Sequence, residues 1–186
     1  MRDKVVVAVA GGFDPFRSGH LHHFQKAKEL GDILVVLVSN DTDMIHKKGY
    51  CLLPIEERIE LLRNQKGVDH VVQTLDIDGT QAKTLEYIHP DIFAKGGDRT
   101  PANMPANEIE ACERLGIKIM YGVGDLETSS SDCVRKAIAQ LYQIRVTRVT
   151  CTKCGGVREI AHEGEYPLTI QCPLCHSYAL KEEQLK

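Results

Sequence analysis

Two adjacent glycines, Gly11 and Gly12, lead into Phe13, Asp14 and Pro15, and then into Arg17, Ser18, Gly19 and His20. The apolar run at residues 4–10 before them reads as a buried strand. After them, Leu21, Phe24, Ala27 and Leu30 are spaced for one face of a helix over residues 18–30. A strand that turns through glycines into a helix offers close backbone approach, unpaired N–H groups and the positive end of a helix dipole. That combination suits an anion such as a phosphate. His20 falls in the first helical turn, facing that anion. Taken alone, such a histidine is more often a helix cap than a catalyst.

A second constellation lies near the C-terminus. Cys151-x2-Cys154 and Cys172-x2-Cys175 are separated by 17 residues, a spacing that fits a four-thiolate zinc site. Each pair presents two thiolates to one tetrahedral Zn²⁺, and Gly155-Gly156 suits the tight turn after the first pair. A redox dithiol is the alternative. Four thiolates leave no open coordination position, so the role expected is structural, with metal binding supplying folding energy to a segment poor in large apolar residues. Arg145, Arg148, Lys153 and Arg158 are offset by Glu159, Glu163 and Glu165, and aromatic residues are few. Nucleic-acid stacking is therefore poorly supported. Cys51, Cys112 and Cys133 read as small apolar filler.

The elements that must position these groups alternate. Strands are expected at residues 4–10, 33–39, 68–74, 91–95 and 117–121, and helices at 18–30, 54–65, 80–88, 105–115 and 129–142. Five rounds of strand and helix imply an α/β fold: a Rossmann-like, parallel five-stranded sheet with helices on both faces. Ligands in such sheets bind at the carboxyl ends of the strands, near the switch in strand order. The informative residues fall there: after the first strand, after the fourth and before the last helix. The composition changes near residue 145, which divides the chain into residues 1–144 and a small C-terminal zinc ribbon at 145–186.

The 186 residues carry a formal net charge of −3, which excludes a globally basic nucleic-acid binder. No stretch of apolar residues is long enough for a transmembrane helix. The N-terminal run flows into the glycine turn without a cleavage-type site, so it reads as a strand rather than a signal peptide. With seven cysteines read as thiols or metal ligands, a cytoplasmic location is expected.

The combination FDPxxxGH at residues 13–20 resembles the HxGH-type nucleotidyltransferases, most closely their cytidylyltransferase-like branch. That branch includes glycerol-3-phosphate cytidylyltransferase and the adenylyltransferase of heptose-phosphate activation. The resemblance extends over residues 4–140. Lys48-Gly49 with Pro54 and Glu57-Arg58 is similar to the family's KG…P…ER segment, and residues 68–72 (VDHVV) to its third strand. Residues 90–98 (PDIFAKGGD) resemble the KGGD segment of the heptose-phosphate enzyme, and Ser129-Ser130-Ser131 stands at the family's Ser/Thr cluster before the last helix.

The resemblance implies transfer of a nucleoside monophosphate from CTP or ATP to a small phosphorylated acceptor, such as a sugar or polyol phosphate, with release of pyrophosphate. His20, Arg17 and Lys48 would be the catalytic residues. Gly11, Gly12, Phe13, Asp14, Gly19, Gly97, Asp98, Thr128, Ser129, Ser130 and Ser131 would bind the nucleotide. Arg58 and Arg99 would meet the acceptor, although Arg58 can equally pair with Glu56, Glu57 or Glu60 on a helix surface, and Asp98 can be a turn residue. Mg²⁺ would accompany the triphosphate. Relatives are often homodimers. Two departures stand out: Arg17 replaces the first histidine of HxGH, and the RTxGIS segment of cytidylyltransferases is GDLETS here, without the arginine. An adaptor that binds nucleotide or nucleic acid without turnover, and adenylyl transfer in coenzyme synthesis, are the competing readings.

Overall fold

The computed structural model describes residues 4–97, 99–124, 129–141, 144–163, 175 and 180–185. It falls into two compact units, residues 1–130 and 131–186. Composition alone places the division about 15 residues later, at 145.

The first unit runs β1 (Val6–Gly11), α1 (Ser18–Lys28), β2 (Ile33–Val38), α2 (Asp41–Lys48), α3 (Ile55–Arg63), β3 (His70–Gln73), α4 (Ala82–Ile88), β4 (Ile92–Ala94), α5 (Ala106–Leu115) and β5 (Lys118–Met120). The five strands are parallel, as the alternation predicts, and lie in the order β3-β2-β1-β4-β5. After β3 the chain returns to the other side of β1, so the order switches between β1 and β4. In sheets of this kind ligands bind at the carboxyl ends beside such a switch.

Successive strand residues serve opposite layers. Val7, Val9, Leu34, Val36 and Val38 pack with Phe24 and Ala27 of α1 and Leu62 of α3. Ala8, Val35, Leu37 and Phe93 pack with Leu85 of α4 and Cys112 of α5. Both faces of β1 and β2 are covered, which is why these strands read as unbroken apolar runs. Cys112 is core filler, and its burial pushes the thiol pKa up to about 11.

Helix α2 carries no clear hydrophobic periodicity, since DTDMIHKK is mostly polar, and it does not figure among the expected helices. Its local signals are at the ends. The Asn40 side chain accepts from the N–H of Asp43, Asp41 and Asp43 lie in the first turn, and Gly49 closes the helix at φ +80°.

In the second unit, β6 (Ile144–Cys151) pairs antiparallel with β7 (Val157–Glu163) on one side and β8 (Leu180–Leu185) on the other. Helix α6 (Ser130–Leu141) begins on the last residue of the first unit.

Candidate active site at the carboxyl ends of the sheet

From Gly11 the chain passes through a compact loop into α1. A side-chain carbon on Gly12 would stand 2.3 Å from Sδ of Met44 and 3.6 Å from Nζ of Lys48. Glycine at 12 thus lets α2 pack directly on the loop and brings Lys48 to it. Phe13 takes φ +51° and buries its ring against Phe24, with centroids 5.2 Å apart. Its side chain belongs to the core; only its backbone is available to a ligand.

His20 is held by its surroundings on several sides. Its Nδ1 accepts the backbone N–H of Arg17 at 3.1 Å, which places the ring proton of the neutral imidazole on Nε2. Phe16 stacks on the ring at 5.6 Å, and Phe13 meets it edge-on at 5.2 Å. Burial lowers the His20 pKa to about 4, and the positive charges of Arg17, His23 and Lys48 add to the effect. At neutral pH His20 is an uncharged N–H donor. Burial also lowers the pKa of Lys48, partly opposed by the Asp14 carboxylate.

Two of the residues expected to meet ligands are engaged by the protein itself. Asp14 is fully buried, and its two oxygens accept the N–H groups of Leu52 (2.7 Å) and Leu53 (3.1 Å). Arg58 is 1% exposed. Its Nε donates to the Leu53 carbonyl at 2.9 Å, and one terminal nitrogen donates to the Gly12 and Ser39 carbonyls at 2.8 and 2.7 Å. The other terminal nitrogen meets Asp41 at 2.5 Å. A buried guanidinium must place its donors, and protein oxygens take four of the five here. It ties the loop after β1, the end of β2 and the approach to α3 together.

The hydroxyl of Ser130 donates to the Pro15 carbonyl at 3.0 Å, joining the start of α6 to the loop before α1. Ser129 immediately precedes that helix, and Ser131 opens the second unit. A side-chain carbon at Gly19 would meet nothing within 4 Å, so packing of the protein does not demand glycine there. Gly97 is exposed just past β4, and the Arg99 guanidinium donates to the Asn103 carbonyl at 3.3 Å. Asp98, Thr128 and Cys172 lie outside the described residues.

Sequence reading misses two further groups. His23 bonds through Nδ1 to the Val123 carbonyl at 2.5 Å; since a carbonyl only accepts, Nδ1 is the donor. Gly124 fits against the backbone of His23, where an added side-chain carbon would come within 2.9 Å. Lys95 and Glu108 form an ion pair beyond β4. Nothing in the spacing of these residues along the chain signals their meeting.

In the second unit, the sulfurs of Cys151, Cys154 and Cys175 all lie within 4.8 Å of one another, with Cys151 and Cys175 3.5 Å apart. Two thiolates on one zinc, each at about 2.3 Å, stand about 3.8 Å apart, so the cluster fits the ion. The Gly155 N–H donates to the Cys151 carbonyl and the Cys151 N–H to the Gly156 carbonyl, closing the turn that brings the first pair together. Gly155 adopts φ +73°, which glycine tolerates.

Residues 8–135 match the family described as cytidylyltransferase-like. The chain is 36% identical over 110 residues to the bifunctional protein HldE of Syntrophotalea carbinolica, an alignment covering 58% of this chain and 22% of that protein. It is 41% identical over 116 residues to the FAD synthase of Thermococcus onnurineus, covering 61% of this chain and 70% of that one. The lipopolysaccharide core biosynthesis protein from Thermoplasma volcanium superposes with a TM-score of 0.55 at 28% identity, over 67% of this chain and 99% of that one. The chain thus spans only about a fifth of the HldE protein but most of the two shorter relatives. With the parallel sheet, the glycine loop and the family match in agreement, the chain belongs to the cytidylyltransferase-like family.

Proposed function

We propose that the first unit is a nucleotidyltransferase that moves a nucleoside monophosphate from CTP or ATP to a small phosphorylated acceptor. The observation that carries this reading is the neutral His20, whose Nε2–H is left to donate at the N-terminus of α1, with Lys48 beside the same loop. The family match supports it.

In the reaction an acceptor phosphate oxygen forms a bond to the α-phosphorus. The bond from that phosphorus to the bridging oxygen breaks, and pyrophosphate leaves with the electron pair. A phosphate monoester is already largely ionised at neutral pH, so no strong base is required. Positioning and stabilisation of developing negative charge dominate instead. His20 supplies a hydrogen-bond donor that has no proton to lose near neutrality. Lys48 supplies positive charge, and the loop at Gly12 and Phe13 supplies main-chain N–H groups at the start of the helix dipole. Arg17 adds a cation where the family carries the first histidine of its motif.

Asp14 has both oxygens committed to main-chain amides, so a Mg²⁺ here would be held chiefly by the triphosphate itself, as Mg²⁺ commonly is. When bound, it would offset negative charge on the phosphate oxygens. Cys151, Cys154 and Cys175, with Cys172, would hold a structural Zn²⁺ in the second unit.

The test is pyrophosphate release from CTP and from ATP with a panel of acceptors. Sugar and polyol phosphates belong in it, including glycerol 3-phosphate and heptose phosphates. Flavin mononucleotide joins them because FAD synthases are among the relatives. Release with one pair is the expected result. Tight nucleotide binding without turnover on any pair would favour an adaptor.

A further inference from the structure

Lys95 and Glu108 form an ion pair that the transfer chemistry does not use. Lys95 Nζ stands 2.8 Å from Glu108 Oε2, with the two side chains 11% and 3% exposed. The ammonium also lies 4.1 Å from the centre of the Phe93 ring. Removing two charges from water is costly, and apolar residues of similar volume often serve stability as well or better. The pair's position gives it another use.

Lys95 directly follows β4, beside the switch in strand order. Its N–H donates to the Met120 carbonyl at 2.8 Å, and its carbonyl accepts the N–H of Val123 at 2.9 Å. Glu108 sits in the first turn of α5. One residue therefore joins the end of β4 to residues 120–123 through its backbone, and to α5 through its charge. Residues 120–123 are in turn fastened to α1 by His23. A triphosphate at the loop between β1 and α1 leaves the β4–β5 half of the crevice for the nucleoside.

We propose that the Lys95–Glu108 pair is a positioning element for the nucleoside half of the site: it fixes the peptide groups of Gly96 and residues 121–123 that face the base and sugar. The phosphate half is independent of it. The inference rests on the nucleotide-binding part of the proposed function, not on turnover.

The experiment compares the full-length wild type with Lys95→Met, Lys95→Arg and the double variant Lys95→Met with Glu108→Leu. Calorimetry measures the Kd of CTP and ATP, and of inorganic tripolyphosphate as a probe of the phosphate half. In Lys95→Met the nucleotide Kd rises about tenfold or more while the tripolyphosphate Kd stays within about twofold. Lys95→Arg recovers part of the loss. The double variant removes the buried unpaired charge, so it folds, yet keeps the weakened nucleotide binding. Equal weakening of nucleotide and tripolyphosphate, or wild-type nucleotide affinity in the double variant, overturns the proposal. Pyrophosphate release by the wild type reports separately on transfer: its absence with intact nucleotide binding would sink the transferase reading alone.

Discussion

The main-chain N–H of Arg17 donates to Nδ1 of His20, so the residue that opens α1 fixes the tautomer of the imidazole one turn ahead. The bond uses the backbone of Arg17, and the family's usual histidine at that position would form it equally. What the guanidinium adds is charge. It helps keep His20 neutral, and it places a cation at the start of α1.

If His20 acts as a donor, His20→Ala lowers kcat by roughly two to three orders of magnitude. His20→Asn retains an acceptor for the Arg17 N–H and an N–H of its own, and keeps part of the rate. Steady-state pyrophosphate release measures both. An unchanged kcat in His20→Ala would remove the histidine from the mechanism.

His20 also makes stability depend on pH. Its pKa is about 4 in the folded protein, against 6.5 for an ordinary histidine exposed to water. Above pH 6.5 it is neutral both folded and unfolded, and its stabilisation is fully present. As pH falls from 6.5 towards 4 the unfolded chain takes up the proton first, and stability is progressively lost. His20→Asn should flatten this part of the pH profile, read by urea unfolding at a series of pH values. An equal slope in wild type and variant would contradict the assignment.

Arg58→Ala leaves the carbonyls of Gly12, Ser39 and Leu53 without their donor and should cost roughly 3–5 kcal/mol in chemical denaturation. Arg58→Lys keeps the charge but not the fork, and recovers only part. A direct contact with the acceptor predicts something different: normal stability with a raised acceptor KM.

Metal analysis of the full chain should find zinc bound by the second unit. Strong chelation should abolish the β6–β8 sheet while the α/β unit keeps its own thermal transition. Cys154→Ser should lose the metal in the same way. Retention of the antiparallel sheet without zinc would count against a structural ion.

How much of this the chain discloses depends on where each contact's partners lie. β1 and β2 are legible because both faces are buried, which leaves a continuous apolar signature. The placement of Gly12 and His20 is legible because both belong to one short segment between β1 and α1. Arg58 is not: its neighbours along the helix are glutamates, while three of its real partners are carbonyls up to 46 residues away. Peptide oxygens carry no sequence signature. Lys95 and His23 are hidden because their partners, the Glu108 carboxylate and the Val123 carbonyl, lie on distant parts of the chain. Helix α2 is disclosed by its ends rather than by its faces.

Met44 leaves the glycine loop no room for an oxidised side chain. Its sulfur occupies the space that any side chain at position 12 would need, and the residue is only 1% exposed. An oxygen added to that sulfur would find no room beside the loop, and the sulfoxide is polar. A Met44 sulfoxide would therefore not fit where α2 packs on the loop and brings Lys48 to it.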